Sequence, residues 1–229
     1  MFEQIGRGTV LEKEEGSLKV KINIFLGLSF LFIFSSAYAG WAQKPEFRLS
    51  HLYRYDLRLD IHNAYIDCIS AAFTYLDDKE KPLLKLMPFF KTRRNIKWEI
   101  WERKSLGIEI GKDIFSGVYL GESIQKVWAM EDYHNWYIPA YKKRDYMESV
   151  TRLCFTHNIL SGKNFKLKGF VLNEYTYDFN RGAGVCNEVA IGLIAPLSKY
   201  IETSVSWRHI DNIHYFDSDT IEASLSLVF

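Results

Sequence analysis

The end of the chain alternates strictly between apolar and polar residues. In an extended strand successive side chains point to opposite faces, so such an alternation gives one apolar face and one polar face. The apolar set is Ile221, Ala223, Leu225, Leu227 and Phe229, with Glu222, Ser224 and Ser226 between its members. A strand of this kind suits a boundary between an apolar and an aqueous medium.

The same period of two recurs along much of the chain. Residues 52–61 place Tyr53, Tyr55, Leu57, Leu59 and Ile61 on one face and Arg54, Asp56, Arg58 and Asp60 on the other. Residues 165–179, 189–195 and 201–208 alternate in the same way. Helical periodicity of 3.6 residues is not evident, so the pattern predicts an all-β protein.

Ten segments qualify as strands. They are residues 52–61, 64–76, 95–101, 105–111, 115–129, 145–158, 165–179, 186–195, 199–209 and 219–229. Residues 83–91 are demoted because Pro88 lies in their middle, which leaves 77–94 as a long connection or plug. The alternatives are eight or twelve strands.

Connections of two lengths separate these segments. Short turns are predicted at Lys112–Asp113, Ser161–Asn164 and Pro196–Ser198, and longer loops at residues 131–144 and 210–219. Short and long connections alternate in the last half of the chain, as they do in outer-membrane barrels with short periplasmic turns and longer outer loops. An even strand number also puts both ends of a barrel on the periplasmic side.

The N-terminal region carries the features of an export signal. Lys19 and Lys21 precede the apolar run Ile24–Phe34, and Ala37-Tyr38-Ala39 follows it. This is the order of basic region, apolar region and small-residue cleavage site in a signal peptide. We expect residues 1–39 to be the signal, with 1–19 a mis-called start, and residues 40–229 to form the barrel.

Together the alternating strands, the export signal and the last residues resemble the C-terminal assembly signature of bacterial outer-membrane β-barrels. The matching residues are Leu225, Leu227 and Phe229. The resemblance implies a closed antiparallel transmembrane β-barrel in the bacterial outer membrane. It also implies that the barrel assembly machinery reads these three residues.

If the apolar face meets lipid, the charged face encloses the lumen. The residues then expected inside are Arg54, Asp56, Arg58, Asp60, Lys97, Glu99, Glu109, Lys166, Lys168, Glu174, Glu188, Glu202, Arg208 and Glu222. Both signs occur in similar number, and side chains can fill a barrel this small. The sequence therefore predicts a polar, salt-bridged interior in preference to an open porin.

Aromatic residues fit an interfacial belt on the same apolar face. They are Tyr53, Tyr55, Trp98, Trp128, Tyr175, Tyr177 and Trp207. Residues 132–141 form an unusually aromatic loop that could contact lipopolysaccharide or a partner, or fold over the barrel rim.

One short segment suggests chemistry. Residues 207–212, Trp-Arg-His-Ile-Asp-Asn, resemble the His-x-Ser-Asn segment of outer-membrane lipid A deacylases. The resemblance implies a site at the outer rim formed by His209, Asp211 and Asn212. It departs from the family because Asp211 stands where the nucleophilic serine should be, and a carboxylate does not replace an activated hydroxyl in acyl transfer.

Several functions find no support in the sequence. The net charge of +1 indicates no nucleic-acid surface, and neither the three cysteines nor the six histidines show metal-ligand spacing. No cofactor motif appears. We expect a monomeric outer-membrane barrel with a structural or surface-interaction role, in contact with outer-membrane lipid and lipopolysaccharide. The alternatives are a lipid A ester hydrolase, a narrow pore and a soluble periplasmic ligand-binding barrel.

Overall fold

A computed structural model describes residues 45–58, 63–77, 82–97, 99, 101–135, 138–162, 166–213 and 217–229. For residues 130–143 the description covers the backbone alone. The expected signal peptide, residues 1–39, lies outside the described residues. No helix among these residues is long and apolar enough to cross a membrane.

Ten antiparallel strands form one closed barrel. They are β1 (Glu46–Asp56), β2 (Ala64–Leu76), β3 (Pro82–Asn95), β4 (Trp101–Phe115), β5 (Val118–Asn135), β6 (Ile138–Ser161), β7 (Lys166–Asp178), β8 (Ala183–Pro196), β9 (Ile201–Asn212) and β10 (Ser218–Val228). Each strand pairs with its neighbours in the chain, and β1 pairs with β10. The predicted fold class and strand number are confirmed.

The first and last strands close the barrel through a continuous register. Their pairing runs from Arg48 opposite Val228 to Asp56 opposite Thr220. Beyond it, the amide of Phe229 donates to the carbonyl of Phe47 at 2.9 Å, and the amide of Phe47 donates back at 3.1 Å. The described end of β1 and the C-terminus thus lie at the same end of the barrel, which is the periplasmic end in barrels of this type.

The polarity of the barrel is inverted relative to a soluble protein. Tyr55, Leu225 and Phe229 are 45%, 49% and 66% exposed on the outside, whereas Arg54 and Glu222 are 8% and 3% exposed inside. Apolar side chains on the outer wall require a hydrocarbon surround. The protein is therefore a transmembrane β-barrel of the bacterial outer membrane, and its burial is the reverse of what a soluble ligand-binding barrel would show.

One predicted segment was wrong because of Pro88. Residues 82–95 form strand β3, and 101–115 form the single strand β4 in place of the two short strands expected at 95–101 and 105–111. The β2–β3 ladder is interrupted at Met87 and Pro88 and resumes in the same register at Phe73 and Leu86. Because proline lacks an amide hydrogen, this local gap is its whole effect, and the barrel tolerates it. The long connection expected at 77–94 therefore does not exist.

Three connections also differ from expectation. Lys112–Asp113 lies within β4, and the turn falls at Ser116–Gly117, where Gly117 has a φ of 80° that suits glycine. In place of the long loop expected at 131–144, residues 131–135 and 138–144 are the paired ends of β5 and β6, with Asn135 opposite Ile138. Strand pairing likewise shortens the connection expected at 210–219, because β9 extends to Asn212 and β10 starts at Ser218.

Candidate functional site

The centre of the lumen is an ionic network around Arg208 of β9. Its guanidinium nitrogens lie 2.8 Å from Glu174, 2.6 Å from Glu188 and 3.1 Å from Glu222. Three carboxylates from three other strands thus converge on one cation. A guanidinium suits this role because its planar array of five N–H donors can serve several carboxylates at once.

The network continues around the wall in both directions. Glu222 also accepts from Arg54 of β1 at 2.7 Å, and Glu174 accepts from Arg152 of β6 at 2.7 Å. Arg152 then reaches Glu109 of β4 at 2.8 Å, and that carboxylate accepts the Tyr119 hydroxyl of β5 at 2.7 Å. One connected set of hydrogen bonds therefore joins β1, β4, β5, β6, β7, β8, β9 and β10 across the interior.

A second set of polar contacts lies toward the outer end of the lumen. Glu148 of β6, 1% exposed, accepts from Arg103 and from the Gln125 amide, the latter at 2.6 Å. Asp178 of β7, 2% exposed, accepts from Arg144 at 2.8 Å. The lumen is thus bridged at more than one level.

Aromatic rings occupy part of the remaining lumen. A Cβ at Gly107 would lie 2.7 Å from Cζ of Phe89, and one at Gly192 would lie 2.8 Å from Cε1 of Phe170. These glycines therefore leave the space that the two rings fill. Neither phenylalanine was predicted in the lumen, although Phe170 shares its strand parity with Glu174.

Most of the charges expected in the lumen that the structure describes lie on its inner face. Three do not. Arg58 follows β1 and binds Asp219 on the outer wall, and Lys97 and Glu99 lie in the connection between β3 and β4. The sequence predicts Lys97 and Glu99 in a strand at 95–101, but β3 ends at Asn95 and β4 begins at Trp101. Asp60 lies outside the described residues.

At the outer rim, His209 of β9 pairs with a carboxylate that the sequence analysis missed. Nδ1 of His209 lies 2.9 Å from Oδ1 of Asp219, its register partner on β10, and Arg58 donates to Oδ2 of Asp219 at 2.9 Å. The imidazole stacks on Trp207, with ring centroids 6.2 Å apart. The group that orients His209 is thus Asp219: parity places both residues on the outer face, but only the β9–β10 register brings them together.

The other two residues expected at this site have different positions. Asp211 is exposed on the same outer face as His209 and pairs in register with Asn187 of β8. Asn212 is the last residue of β9 and pairs in register with Cys186. The rim therefore brings together His209, Asp219, Arg58 and Trp207, with Asp211 beside them.

The cysteines carry no cross-link in this structure. Cys68, Cys154 and Cys186 are all free and partly buried. Within the described residues no group of three His, Cys, Asp or Glu side chains is arranged to hold a metal ion.

Comparison with known proteins gave likenesses of fold alone. No family model matches the chain, and no curated protein matches it. Among solved structures, it is similar to the KdgM porin (7% identity, TM-score 0.42, 80% of this chain and 99% of that one). It is similar to the NanC porin at 11% identity (TM-score 0.40, 79% and 98%) and to a bacterial polysaccharide outer membrane secretin at 12% (TM-score 0.46, 81% and 70%).

We expect Arg208→Leu to destabilise the barrel strongly. The change leaves three carboxylates in the lumen without their shared cation, and losing one partner of a buried ionic group costs about 3–5 kcal/mol. Arg48→Leu is the matched control, because Arg48 pairs with Glu202 near the periplasmic mouth and its side chain is 36% exposed. An exposed pair contributes about 1 kcal/mol or less. Urea unfolding followed by tryptophan fluorescence measures both, and equal losses would contradict a central role for Arg208.

Proposed function

We propose that this protein is a non-conducting outer-membrane barrel with a structural and surface-interaction role. The observation that carries the proposal is the lumen network centred on Arg208, which links eight strands. Its cations and carboxylates are bonded to one another across the interior. A permeating ion would have to break these contacts, so the network supports a sealed barrel over a narrow pore.

The surface that we assign to this role is the projecting end of the β5–β6 hairpin. Pairing of β4 with β5 ends at Ala129, and pairing of β7 with β6 ends at Glu148, but β5 and β6 continue together to Asn135 and Ile138. Six further residues of β5 and ten of β6 lie beyond these points. Their paired part, 130–135 against 138–143, at roughly 3.3 Å per residue gives a ribbon roughly 20 Å long above its neighbours. It lies at the end of the barrel opposite the start of β1 and the C-terminal residue, on the extracellular side.

The sequence of this hairpin suits contact with lipopolysaccharide sugars. Residues 132–143 contain Tyr133, Trp136, Tyr137 and Tyr141, followed by Lys142 and Lys143. Tyrosine and tryptophan combine an apolar ring with a polar tip, and lysine attracts anionic groups. We propose that the hairpin binds the saccharide part of lipopolysaccharide.

Leu225, Leu227 and Phe229 are proposed to engage the barrel assembly machinery. Leu225 and Phe229 lie on the outer wall, 49% and 66% exposed, and β10 is the strand that closes the barrel against β1. This placement supports a role as an accessible signal that is read before closure.

We expect the purified protein to give no stable conductance steps in planar lipid bilayers. If the network closes the lumen as proposed, no continuous water path remains for ions. The double variant Arg208→Ala with Arg152→Ala removes two central side chains and should give steps or noisy openings where the wild type gives none. Stable single-channel currents from the wild type would overturn the sealed-barrel proposal and favour the pore.

Shortening the hairpin should abolish saccharide binding without affecting the barrel. Replacing residues 132–141 with Asn-Gly, a favoured two-residue hairpin turn, leaves the pairing of β5 and β6 below it intact. We expect normal heat-modifiable migration on a gel but loss of binding to deacylated lipopolysaccharide by surface plasmon resonance.

A same-length control separates shape from chemistry in that experiment. Changing Tyr133, Trp136, Tyr137 and Tyr141 to serine keeps the hairpin and removes its rings, and it should lose most of the binding too. Undiminished binding by the shortened protein would refute the assignment of this surface.

A second candidate function, lipid A ester hydrolysis, is favoured by the His209–Asp219 pair. Asp219 would hold the imidazole so that Nε2 can take a proton from a nucleophile, and the pair lies on the outer wall where lipid is the neighbour. With Asp211 in place of the family's serine, the nucleophile would be water: its oxygen attacks the ester carbonyl while His209 accepts a proton. The acyl C–O bond then breaks, the His209 imidazolium returns the proton to the departing sugar hydroxyl, and the fatty acid is released. Asp211, exposed on the same outer face, would then position the lipid headgroup, whereas Asn212 falls on the inner face by its parity with Arg208.

Lipid A mass spectra test this second candidate. Expression of the wild type should remove one ester-linked acyl chain, and His209→Ala should restore the full acyl pattern, because the proton acceptor is gone. His157→Ala, a change on the outer face of β6 away from the rim site, serves as control and should leave hydrolysis unchanged. An unchanged pattern with the wild type would eliminate the enzyme.

A further inference from the structure

The apolar outer wall contains an unexpected polar pair. His51 of β1 and Asp67 of β2 are register partners on the lipid-facing side, with Nδ1 of the histidine 2.7 Å from Oδ1 of the aspartate. Their side chains are 56% and 44% exposed. Along β1 the histidine lies between Leu49 and Tyr53, both exposed to lipid.

Such a pair is costly in hydrocarbon. Ionisable side chains at membrane depth are rare, and they normally pair with one another or meet a polar ligand. His51 and Asp67 satisfy one bond between themselves. Among the residues that the structure describes, no partner is seen for the second imidazole nitrogen or the second carboxylate oxygen. A polar group of a bound molecule would remove this cost.

Aromatic contacts place the pair just below the outer interface. The His51 ring stacks on Tyr65 with centroids 5.3 Å apart, and Tyr65 lies 5.6 Å from Tyr53. Tyrosines on the outer wall favour the headgroup level. Asp67 is the fourth residue of β2 counted from its outer end, so we assign the pair to the outer half of the wall, toward the headgroups of the outer leaflet.

Two cations lie beside the pair on the same wall. Arg94 of β3 is the register partner of Tyr65, and it is exposed. Lys104 of β4 is the register partner of Thr92, which in turn is opposite Asp67. Nζ of Lys104 lies 5.6 Å from the ring centroid of Trp101, a lipid-facing residue that is 45% exposed.

We propose that this outer-wall cluster binds a phosphorylated glycolipid of the outer leaflet. The cluster consists of His51, Tyr65, Asp67, Arg94, Trp101 and Lys104. Arg94 and Lys104 bind the phosphate, since both are cations at the headgroup level. The free nitrogen and oxygen of the His51–Asp67 pair meet an amide or hydroxyl group where the headgroup joins the acyl chains.

Charge complementarity selects this occupant. A phosphate alone would leave the His51–Asp67 pair facing hydrocarbon, and an uncharged lipid would leave the two cations without an anion. A glycolipid that carries a phosphate above amide and hydroxyl groups satisfies both. The cluster lies on β1 to β4, apart from the β5–β6 hairpin and its proposed saccharide contact.

Native mass spectrometry of the full-length mature barrel in detergent, with diphosphorylated lipid A as the probe, tests the proposal. We expect one retained lipid A per barrel and a loss of affinity of about tenfold or more for Arg94→Gln with Lys104→Gln, equivalent to about 1.4 kcal/mol or more. His51→Phe with Asp67→Leu should weaken binding several-fold, because the lower polar contacts are lost.

Lys112→Gln is the matched control. Lys112 shares the strand and parity of Lys104 but lies eight residues nearer the periplasmic end, and it is exposed. The proposal requires that this change leave lipid A binding unaltered. An equal loss of lipid A binding with Lys112→Gln would show non-specific attraction and overturn the site. Full retention of lipid A by the Arg94→Gln with Lys104→Gln variant would also overturn it.

Two further arms identify the ligand. Phosphatidylglycerol and dephosphorylated lipid A should each bind at least about tenfold more weakly than the intact probe. Equal retention of phosphatidylglycerol would overturn the glycolipid assignment. If the Arg94→Gln with Lys104→Gln variant fails to show heat-modifiable migration, the single variant Lys104→Gln replaces it. This change lies at an exposed side chain, and its lipid A binding is compared with that of the wild type in the same way.

Discussion

Backbone hydrogen bonding in a medium without water is the constraint on which this structure depends. A strand in hydrocarbon must pair on both edges, because an unpaired amide or carbonyl there costs several kcal/mol. The pairing of β1 with β10 meets this requirement by removing the last two edges. The reciprocal bonds between Phe47 and Phe229 extend the closure to the final residue. Once the cylinder is closed, every side chain must face either lipid or lumen.

This division explains why the charged residues form networks. Alternation assigns Arg54, Glu174, Arg208 and Glu222 to the inside, where ten strands leave little room for water. Charges so confined are favourable only when each finds a partner with good geometry. Arg208 does so with three carboxylates. Confining charges in the lumen is therefore a cost of the inverted polarity. The ion pairs that offset this cost also hold distant strands together.

The sequence allowed the fold to be predicted because parity is a local property. Tyr55 and Arg54 face opposite media whatever the register of their strand, so the inner and outer sets could be assigned without coordinates. Register and partner choice depend on non-local pairing, and here prediction failed. Asp219 lies ten residues from His209 in the chain, and only the β9–β10 register shows that they meet. Pro88 led to a wrong prediction for a related reason. In a closed barrel a proline interrupts the hydrogen-bond ladder locally, and the strand continues beyond it.

The distribution of polar groups indicates where function resides. Inside the barrel the described carboxylates of the central network are bonded to guanidinium groups, and this arrangement is explained by stability alone. On the outer wall, stability predicts apolar side chains, yet two histidines there are each held by a carboxylate from the neighbouring strand: His51 by Asp67 and His209 by Asp219. Each also stacks on an aromatic ring, Tyr65 or Trp207. Oriented polar groups that face lipid have no role in holding the barrel closed, since the backbone pairing already does so. These two pairs are the observations behind the glycolipid site proposed on β1 to β4 and the ester hydrolysis proposed at His209, while the proposed saccharide contact lies on the β5–β6 hairpin.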